Sequence, residues 1–581
     1  MSGVTIRLAL GALVTVVLLA VPAAAGAVTL RLLPGVTYER ETQQTSEGRI
    51  VVHSITAPRP GGLYELKPIL ARDRIRGRER VSDIQKRIAP AATAIGVNGD
   101  LFNFGTGHPS GIFFDSGALL SRPIGGRSSL GIGIDGLLQV ARIRYFGSIQ
   151  LGEAKKHPIH DFNRPLEKNA VGLFTSAWAS RTPRVPGALD IVLEGFPGAV
   201  PNTDLAVTVS RMRKGGGTWI PAGGAVVQAT GFWADILGGE SAPGLVAVAR
   251  LVLKPWWENP ASALGGGPVI VRDGVAITGA GEEFTSSQLF PRHPRTAVGQ
   301  LADGRILLAA VDGRQAGSAG VNVPELARVM VKLGAVTAMA LDAGGSTTIA
   351  FDGRVLNEPS GGAERPVGNA LMMLYHGAYV TPPRNPVVSP NGDGFTEFQR
   401  LRYRLPRPAT ITARLTAPDG SVAWQEEGAR EPGSYELLLD GREGTPQLVE
   451  GRWRFSLSAV DSDGVPSGMD RRFVVDNTLS KLRLSRRSVT LHPRRGTRLR
   501  VAFRLSRAAA VRVQLEDRKG RVVRTLAKRR YDEGLRKVVW NGRVRGKKLA
   551  KPGRYRVRVI AKGAIARSEI FADVVVRRRP A

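Results

Sequence analysis

Hydrophobic residues occur along most of this chain in short runs that end at glycine or at polar corners. Three such runs are Ala94 to Val97, Ile306 to Val311 and Ala338 to Leu341. Short apolar runs bounded by turn residues predict buried β-strands. We therefore expect a chain built mainly of brief strands, each followed by a polar loop.

Two segments depart from this pattern. A helical period begins at Pro324, a residue type favoured in the first turn of helices, and ends before Gly334. Its apolar positions are spaced i, i+3, i+4, i+7 and are Leu326, Val329, Met330 and Leu333. The stretch Val81 to Ile88 predicts a shorter helix or a turn.

Changes in composition and in the pattern of apolar runs predict where domains begin and end. Residues 28–90 form an N-terminal β-rich segment, and residues 91–380 predict an α+β catalytic domain with a mixed, β-rich core. Residues 145–264 carry no legible motif and are interpreted as an insertion or lobe that shapes substrate choice. A proline-rich joint at residues 381–386 then separates this region from the tail.

The tail contains two segments that repeat each other. The turn at Pro418–Gly420 corresponds to the turn ending at Gly520, and Gly451–Arg454 corresponds to Gly553–Arg556. The period is about 100 residues, the size of an immunoglobulin-like sandwich. Residues 381–476 and 477–581 are therefore predicted to be two all-β immunoglobulin-like sandwich modules.

Composition agrees with a β-rich protein. The 581 residues include 70 Gly and 37 Pro, which favours many turns, and 43% of residues are hydrophobic, which excludes wholesale disorder. The chain has no cysteine, so disulfides, thiolate metal sites and a cysteine nucleophile are excluded.

The net charge of the whole chain is +33, which by itself suggests a protein that binds nucleic acid. The distribution of the charge along the chain changes this interpretation. Residues 477–581 hold 33 basic and 6 acidic residues, so 33 − 6 = +27 of the charge lies in the last module. No nucleic-acid-binding fold is recognised there. We therefore expect an anionic polymer of the cell envelope as its partner, and no nucleic acid.

The first 27 residues predict the compartment. Arg7 precedes the apolar run Leu8 to Val21, and the small residues Ala23 to Ala25 follow. This order is typical of a secretory signal peptide, with an uncleaved signal anchor as the alternative. The protein is expected to be secreted or associated with the cell wall.

Common catalytic signatures are missing from the sequence: it has no G-x-S-x-G elbow, no P-loop and no H-E-x-x-H. Polar corners after the predicted strands supply candidate chemistry instead. They are Asn98-Gly-Asp100, Asp312-Gly-Arg314 and the run from Asp342 to Thr348. Each alone is most often a turn, but together they offer carboxylates, guanidinium groups and backbone amides.

These corners belong to an ordered series of sequence blocks: N-G-D-L-F from Asn98, G-G-G-P from Gly265, R-T-A-V-G from Arg295, V-D-G-R from Val311, P-E-L-A from Pro324, L-D-A-G-G-S-T-T from Leu341, Asn357-Glu-Pro-Ser360 and Glu364-Arg365-Pro366. Together the blocks resemble the phosphodiester glycosidase domain family over roughly residues 91–376. That family includes the lysosomal uncovering enzyme, which removes N-acetylglucosamine from a sugar phosphodiester. The sequence departs from the usual L-D-G-G-G-S-T-T at Ala343, which is strained if the position needs a positive φ and neutral otherwise.

The resemblance implies hydrolysis of the bond between the sugar C1 and a phosphate oxygen. A phosphate monoester is a weakly basic leaving group, so cations and aligned donors can replace a strong general acid. Arg295 and Arg314 would then bind phosphate, or else form structural ion pairs with Asp100 and Asp312. An anion cradle with neighbouring hydroxyls would come from Thr296, Gly344, Gly345, Ser346 and Thr347.

The roles of the acidic residues stay open at this point. Asp342 or Asp100 would activate water or stabilise the oxocarbenium-like centre, while Asn98 and Asp312 would orient sugar hydroxyls or hold a metal ion. Asp342, Asp100 and Asp312 are the catalytic candidates. Glu364-Arg365 has either a catalytic role or a capping or ion-pairing role.

No cofactor is required by these residues. Asn391 and Asp393, in a tail turn, are either weak Ca²⁺ ligands or part of an acidic turn. The tail modules themselves resemble the immunoglobulin-like repeats of flagellar hook-cap proteins.

Three functions follow for the whole chain. The first is an exported hydrolase of sugar 1-phosphodiesters, of the N-acetylglucosamine type, in envelope glycopolymer or exopolysaccharide. The second is a non-catalytic protein that binds phosphoglycan or the cell wall. The third is a phosphodiesterase that cleaves the same substrates on the other side of phosphorus.

Overall fold

We describe the fold from a computed structural model, which covers residues 28–277, 281–442, 444–491, 497–545 and 548–578. The predicted secretory signal, residues 1–27, lies outside the described residues. The protein is 53% strand and 7% helix, which confirms the β-rich prediction. Within the described ranges, no helix combines the length and the apolar character that a membrane span requires.

The first part of the chain supplies strands to several sheets. Its elements are β1 (Val28–Leu33), β2 (Val36–Thr45), β3 (Gly48–Ala57), β4 (Tyr64–Leu70), α1 (Val81–Ile88), β5 (Thr93–Asn98), β6 (Phe113–Asp115), β7 (Ala118–Ser121), β8 (Ser128–Gly133) and β9 (Leu138–Arg142). Of the two structures predicted for Val81 to Ile88, a short helix or a turn, the fold has the helix, α1.

The central part forms a sheet of its own, in the order β11-β10-β17-β15-β14-β16-β13-β12. Its elements are β10 (Arg144–Leu151), β11 (His157–Ile159), β12 (Asp161–Phe162), β13 (Val171–Thr175), β14 (Leu189–Glu194), β15 (Asp204–Lys214), β16 (Ala225–Ala229), α2 (Phe232–Glu240) and β17 (Val246–Lys254). This sheet packs around an apolar core to which Phe114, Leu119 and Ala263 of neighbouring strands also contribute.

The third part completes the sheets that carry the candidate site. Its elements are β18 (Pro260–Gly265), β19 (Val269–Arg272), β20 (Val275–Ala276), α3 (Ser286–Leu289), β21 (Arg295–Leu301), β22 (Ile306–Val311), α4 (Val323–Lys332), β23 (Ala335–Ala340), β24 (Ile349–Phe351), β25 (Arg354–Val355) and β26 (Asn369–Tyr375). Helix α4 confirms the predicted helix: Asn322 caps it in a capping box with Glu325, and Leu326 and Met330 are fully buried.

The sheets cross the predicted boundary at residue 90. Strand β3 pairs with β22 in an eight-stranded sheet of order β1-β2-β3-β22-β21-β23-β19-β20, and β4 pairs with β26 in a five-stranded sheet of order β25-β24-β5-β26-β4. Another five-stranded sheet has the order β7-β6-β18-β8-β9. Residues 28–90 therefore share their sheets with residues from the predicted catalytic domain.

The tail contains two sandwiches with matching topology. The first has β27 (Tyr379–Val380), β28 (Val387–Val388), β29 (Gln399–Leu405), β30 (Ala409–Thr416), β31 (Val422–Arg430), β32 (Gly433–Leu439), β33 (Gly451–Asp461) and β34 (Pro466–Val475). Its three-stranded sheet is β27-β29-β32 and its five-stranded sheet is β28-β34-β33-β30-β31.

The second sandwich repeats this arrangement as β35-β37-β40 and β36-β44-β43-β38-β39. Its strands are β35 (Leu479–Leu484), β36 (Ser488–Leu491), β37 (Leu499–Leu505), β38 (Ala509–Glu516), β39 (Val522–Tyr531), β40 (Gly534–Trp540), β41 (Arg543–Arg545), β42 (Lys548–Leu549), β43 (Gly553–Lys562) and β44 (Arg567–Arg578). Each sandwich encloses its own apolar core, around Trp453 in the first and Trp540 in the second.

Candidate active site

Antiparallel pairing brings the candidate residues to the same end of the neighbouring strands β22, β21, β23 and β19. Arg295 pairs with Val311, Ala297 with Ala340, and Val269 with Met339. The start of one strand therefore lies beside the end of the next. Arg295, Arg314 and Asp342 lie at or just beyond these strand ends. They therefore meet on one side of the sheet, where they line a cavity of about 220 Å³.

Asp342 presents the carboxyl group of this cavity. The backbone amide of Ala343 donates to its Oδ1 at 2.8 Å, and the side chain of Asn98 donates to its backbone carbonyl at 2.7 Å. Burial raises the pKa of Asp342 to about 6, against the opposing effects of Ser346, the Ala343 amide and Arg365. The site therefore holds a carboxyl group that titrates near neutral pH.

Two arginines line the cavity without a carboxylate partner among the described residues. Arg295 is 7% exposed, and its guanidinium donates to the carbonyl oxygens of Gln288 at 2.8 Å and Pro291 at 3.0 Å. Burial and the charge of Arg314 lower its pKa to about 10. Arg295 is thus a buried cation whose charge no neighbouring carboxylate neutralises.

Arg314 is the exposed cation of the pair. Its backbone is left-handed, with φ of 58°, a conformation that costs energy for a residue other than glycine. Its guanidinium donates to Nδ1 of His293 at 3.0 Å. Burial and the two arginines lower the pKa of His293, which favours the neutral ring, the form whose Nδ1 can accept this hydrogen bond.

Arg365 is a further cation beside the turn that follows Asp342. A side chain at Gly345 would meet its guanidinium, and the same group lies over the ring of Phe104 at 5.4 Å. Its charge lowers the pKa of Asp342. Glu364, by contrast, accepts the backbone amide of Ser82 at 3.0 Å and caps α1. The capping interpretation of Glu364 therefore fits its contacts.

Asp100 lies behind the cavity lining. Its carboxylate accepts the amide of Gly111 at 2.6 Å, and a Cβ at Gly265 would come within 2.5 Å of it. Burial raises the pKa of Asp100 to about 7; the Gly111 amide opposes this, and the charge of Asp342 adds to it. Asp100 is electrostatically coupled to Asp342 but is enclosed by two glycines.

Asn98 and Thr296 are fully buried and satisfied by the protein itself. Thr296 donates its hydroxyl to Asn98 Oδ1 at 2.7 Å, and the amide of Thr348 donates to the same oxygen at 3.1 Å. Since Asn98 also holds the carbonyl of Asp342, these two residues position the acid rather than line the cavity.

Asp312 belongs to a separate hydrogen-bond network. Its Oδ2 lies 2.9 Å from Nε2 of His53, whose Nδ1 lies 2.9 Å from the hydroxyl of Tyr38. Its Oδ1 accepts the amide of Glu358 at 3.1 Å and the side chain of Asn357 at 3.2 Å. Both oxygens of Asp312 are thus occupied, and the residue anchors the loop that carries Arg314.

The turn after Asp342 only partly resembles the predicted anion cradle. The amide of Gly344 donates to the carbonyl of Pro294 at 2.8 Å, so it is not available to an anion. Gly344 has a φ of 69°, whereas Ala343 has a φ of −123°, which any residue adopts. Alanine at position 343 is therefore unstrained. Thr347 and Thr348 carry buried hydroxyl oxygens without a partner in the described structure.

No group of three metal-binding side chains occurs within the ranges that the structure covers. Asp393 accepts the amide of Phe395 at 3.0 Å through Oδ1 and that of Lys481 at 2.7 Å through Oδ2. Asn391 Oδ1 accepts the amide of Asp393 at 3.2 Å. These contacts fit the acidic-turn interpretation of Asn391 and Asp393, and the turn joins the two sandwiches.

His293 and Arg365 are site residues that sequence reasoning missed or left undecided. His293 lies two residues before Arg295, in the run P-R-H-P-R. Its only sequence signal was this proximity to the R-T-A-V-G block. Its contact with Arg314 depends on a pairing between strands that no local pattern reveals.

Two parts of the chain match known protein families. Residues 200–374 match the phosphodiester glycosidase family. The matched range contains Arg295, Arg314 and Asp342, the three residues that converge on the cavity. Residues 490–564 match the FlgD Ig-like domain, within the second sandwich.

A curated relative is similar in sequence to a short part of this chain. The SPbeta prophage-derived uncharacterized protein YomE of Bacillus subtilis strain 168 is 36% identical over 91 residues, which are 16% of this chain and 14% of that protein. The chain therefore spans only a small part of this curated relative.

Two solved structures align with parts of this chain. A hypothetical protein from Synechocystis aligns with a TM-score of 0.53 at 22% identity over 61% of this chain and 64% of that one. The catalytic domain of zebrafish N-acetylglucosamine-1-phosphodiester alpha-N-acetylglucosaminidase aligns with a TM-score of 0.31 at 15% identity over 59% and 82%. The Synechocystis protein thus shares the general fold.

Proposed function

We propose that the phosphodiester glycosidase domain hydrolyses the bond between the anomeric carbon of a sugar and the phosphate oxygen of a sugar 1-phosphodiester. One observation carries this proposal: Asp342 shares a small cavity with two arginines that no carboxylate of the described chain neutralises. Uncompensated arginines at a cavity suit an anionic substrate, and guanidinium groups match phosphate oxygens in geometry.

The proposed step uses the ionised form of Asp342. The carboxylate takes a proton from water as the water oxygen bonds to C1, and the C1–O bond breaks with its electron pair going to the phosphate oxygen. The products are the free sugar and a phosphate monoester. Arg295 and Arg314 stabilise the charge that develops on the departing phosphate. A weakly basic leaving group of this kind needs no strong acid.

Asp342 is preferred over Asp100 and Asp312 because of where each carboxyl group lies. Asp342 lines the cavity, whereas Asp100 is packed against Gly111 and Gly265, and Asp312 is held by His53 and Asn357. We assign Asp100 to electrostatic tuning of Asp342 and Asp312 to the positioning of Arg314.

The experiment is hydrolysis of an N-acetylglucosamine 1-phosphodiester in ¹⁸O-labelled water, followed by mass spectrometry and phosphorus NMR. Label in the sugar with release of a phosphate monoester supports the glycosidase. Label in phosphate, with sugar 1-phosphate as product, identifies a phosphodiesterase instead. Binding without turnover over a panel of sugar phosphodiesters identifies a non-catalytic phosphoglycan-binding protein.

We further propose that the protein is exported and that the second sandwich holds it on an anionic envelope polymer. The register of its five-stranded sheet supports the second part of this proposal, the binding of an anionic polymer. Arg512 lies directly opposite Lys528, and Lys562 directly opposite Arg567. Like charges in directly opposed positions destabilise a sheet, so this arrangement suits an external polyanion.

These residues form a basic face on one side of the sheet. Ala510 pairs with both Arg530 and Lys562, which places the two cations on the face that also carries Arg512. The residues line a groove of about 380 Å³. Two arginines of β43 are instead paired with carboxylates: Arg556 with Asp573, and Arg558 with Glu516 and Glu569.

A further inference from the structure

A second cavity, of about 520 Å³, shares a loop with the candidate active site. Within the loop of residues 99–111, Leu101 lines the first cavity, whereas Asn103, Thr106 and Ser110 line the second. Gly111, which donates its amide to Asp100, follows directly. The two cavities are therefore neighbours that one loop separates.

Three arginines line this second cavity, and none of the described residues that line it is acidic. They are Arg76, Arg164 and Arg181. None of the three forms an ion pair in the part of the chain that the structure describes. The guanidinium of Arg76 lies 4.7 Å from the centre of the Trp178 ring, and that of Arg181 lies 5.3 Å from the Trp219 ring. These rings orient the cations without neutralising them.

The carboxylates around the cavity are already engaged elsewhere. Asp190 accepts the hydroxyl of Thr182 at 2.6 Å and the side-chain amide of Gln228 at 2.8 Å. Asp161 is paired with Arg122 at 2.5 Å. The charges of Asp161 and Asp100 act on Arg164, but neither carboxylate forms an ion pair with it, because Asp161 pairs with Arg122 and Asp100 accepts the amide of Gly111.

Arg164 is the deepest of the three. Its Nη2 donates to the carbonyl of Arg122 at 3.0 Å and also to that of Ser110, while its buried Nε has no partner in the described structure. A buried donor without an acceptor is costly, and so is a buried cation without a counter-ion. An oxyanion in the cavity would relieve both costs.

We propose that the second cavity binds a phosphate group of a substrate that carries more than one phosphate, next to the diester cleaved in the first cavity. The substrate part of this proposal rests on the proposed function; the phosphate site itself does not. Arginine forks suit the tetrahedral oxyanion. The guanidinium of Arg76 covers the Trp178 ring, so we assign no sugar-stacking role to that ring.

The kinetic test compares a monomeric N-acetylglucosamine 1-phosphodiester with an oligomer of sugar phosphodiester units. In the double variant Arg76→Gln/Arg181→Gln, we expect KM for the oligomer to rise about tenfold, with kcat and the monomer kinetics unchanged. Arg78→Gln/Arg184→Gln is the matched control, because both of its arginines are exposed and neither lines the cavity. Equal effects on both substrates, or none on either, would overturn the proposal.

A binding test separates this site from the proposed reaction. Inorganic phosphate is titrated by phosphorus NMR into a protein carrying Arg314→Gln and Asp342→Asn, with and without the second-cavity substitutions. Binding that needs Arg76 and Arg181 supports the phosphate site even if no substrate is hydrolysed. Binding that survives their loss, or no phosphate binding at all, contradicts it. Stronger binding of oligogalacturonate than of phosphate would assign the cavity to carboxylates and overturn the phosphate proposal.

Discussion

The carboxylate of Asp342 accepts the amide of Ala343 at 2.8 Å, and Ala343 makes this contact from extended backbone. The usual glycine of the motif is therefore not needed at this position. We expect Ala343→Gly to leave turnover within about twofold and to cost less than about 1 kcal/mol of unfolding free energy. Enzyme kinetics and thermal unfolding measure both effects.

Gly344→Ala is the informative partner of that substitution. Gly344 has a φ of 69°, and an added Cβ would lie 3.4 Å from Arg314 Nη1, an ordinary contact. The cost is thus conformational, about 1–2 kcal/mol, and we expect a lower Tm together with slower turnover. If Ala343→Gly is the more damaging of the two, the backbone argument is wrong.

Arg314→Gln tests the exposed phosphate-binding cation. Because this side chain contacts the neutral ring of His293 rather than a carboxylate, its loss should hardly change stability. We expect kcat/KM to fall about 10²- to 10³-fold while the unfolding free energy stays within about 0.5 kcal/mol. Arg328→Gln, on the exposed face of α4, is the matched control and should retain full activity.

The pH dependence of kcat/KM should report Asp342. Burial raises its pKa to about 6, and the proposed step needs its ionised form. Activity should therefore rise with pH across about 6 and level off above it. Asp342→Asn should abolish turnover. A profile of the wild-type enzyme that is flat between pH 5 and 7 would contradict this assignment.

Asp100 should make the domain less stable as pH rises. Its folded-state pKa of about 7 lies above the ordinary value of 3.8, so the protonated carboxyl stabilises the fold fully below about pH 4. That contribution is lost as pH rises through about 7, and it amounts to about 1–4 kcal/mol. Asp100→Asn should flatten the pH dependence of Tm between pH 4 and 8. A variant that melts with the wild-type pH dependence would refute this account.

The basic face of the second sandwich should govern retention on polyanions. Removing the second sandwich would break the hydrogen bonds that Asp393 accepts from the amide of Lys481 and Asp476 from the amide of Ala566. Substitutions within the basic face avoid this loss and are therefore the better test. We expect Arg512→Gln/Arg530→Gln/Lys562→Gln to bind poly(glycerol phosphate) about tenfold more weakly in physiological salt.

Three exposed arginines on or beside β37, the opposite sheet, provide the control: Arg498→Gln/Arg500→Gln/Arg504→Gln. This triple variant removes the same charge and should keep wild-type retention. Equal weakening by both variants would show that net charge alone acts. Tighter binding to duplex DNA than to the glycerol phosphate polymer would contradict the envelope assignment.

The sequence by itself determined the local elements and the list of chemical groups. The i, i+3, i+4, i+7 spacing and the proline at residue 324 predicted α4. The repeat period predicted two similar tail segments, and their strand orders match. The ordered blocks from Gly265 to Thr348 lie within residues 200–374, which match the phosphodiester glycosidase family, whereas the block at Asn98 precedes the matched range. These features are local because capping, turn chemistry and apolar period act over a few residues.

The tertiary structure alone decided which of those groups share a cavity. Asp100, Asp312 and Asp342 stand in similar sequence contexts, yet strand pairing puts only Asp342 on the lining, encloses Asp100 between Gly111 and Gly265, and ties Asp312 to His53. The partners of these acids lie far away in sequence, so no local pattern specifies them. The contacts that set burial, pKa and access to substrate are made by antiparallel register, which exists only in the folded sheet.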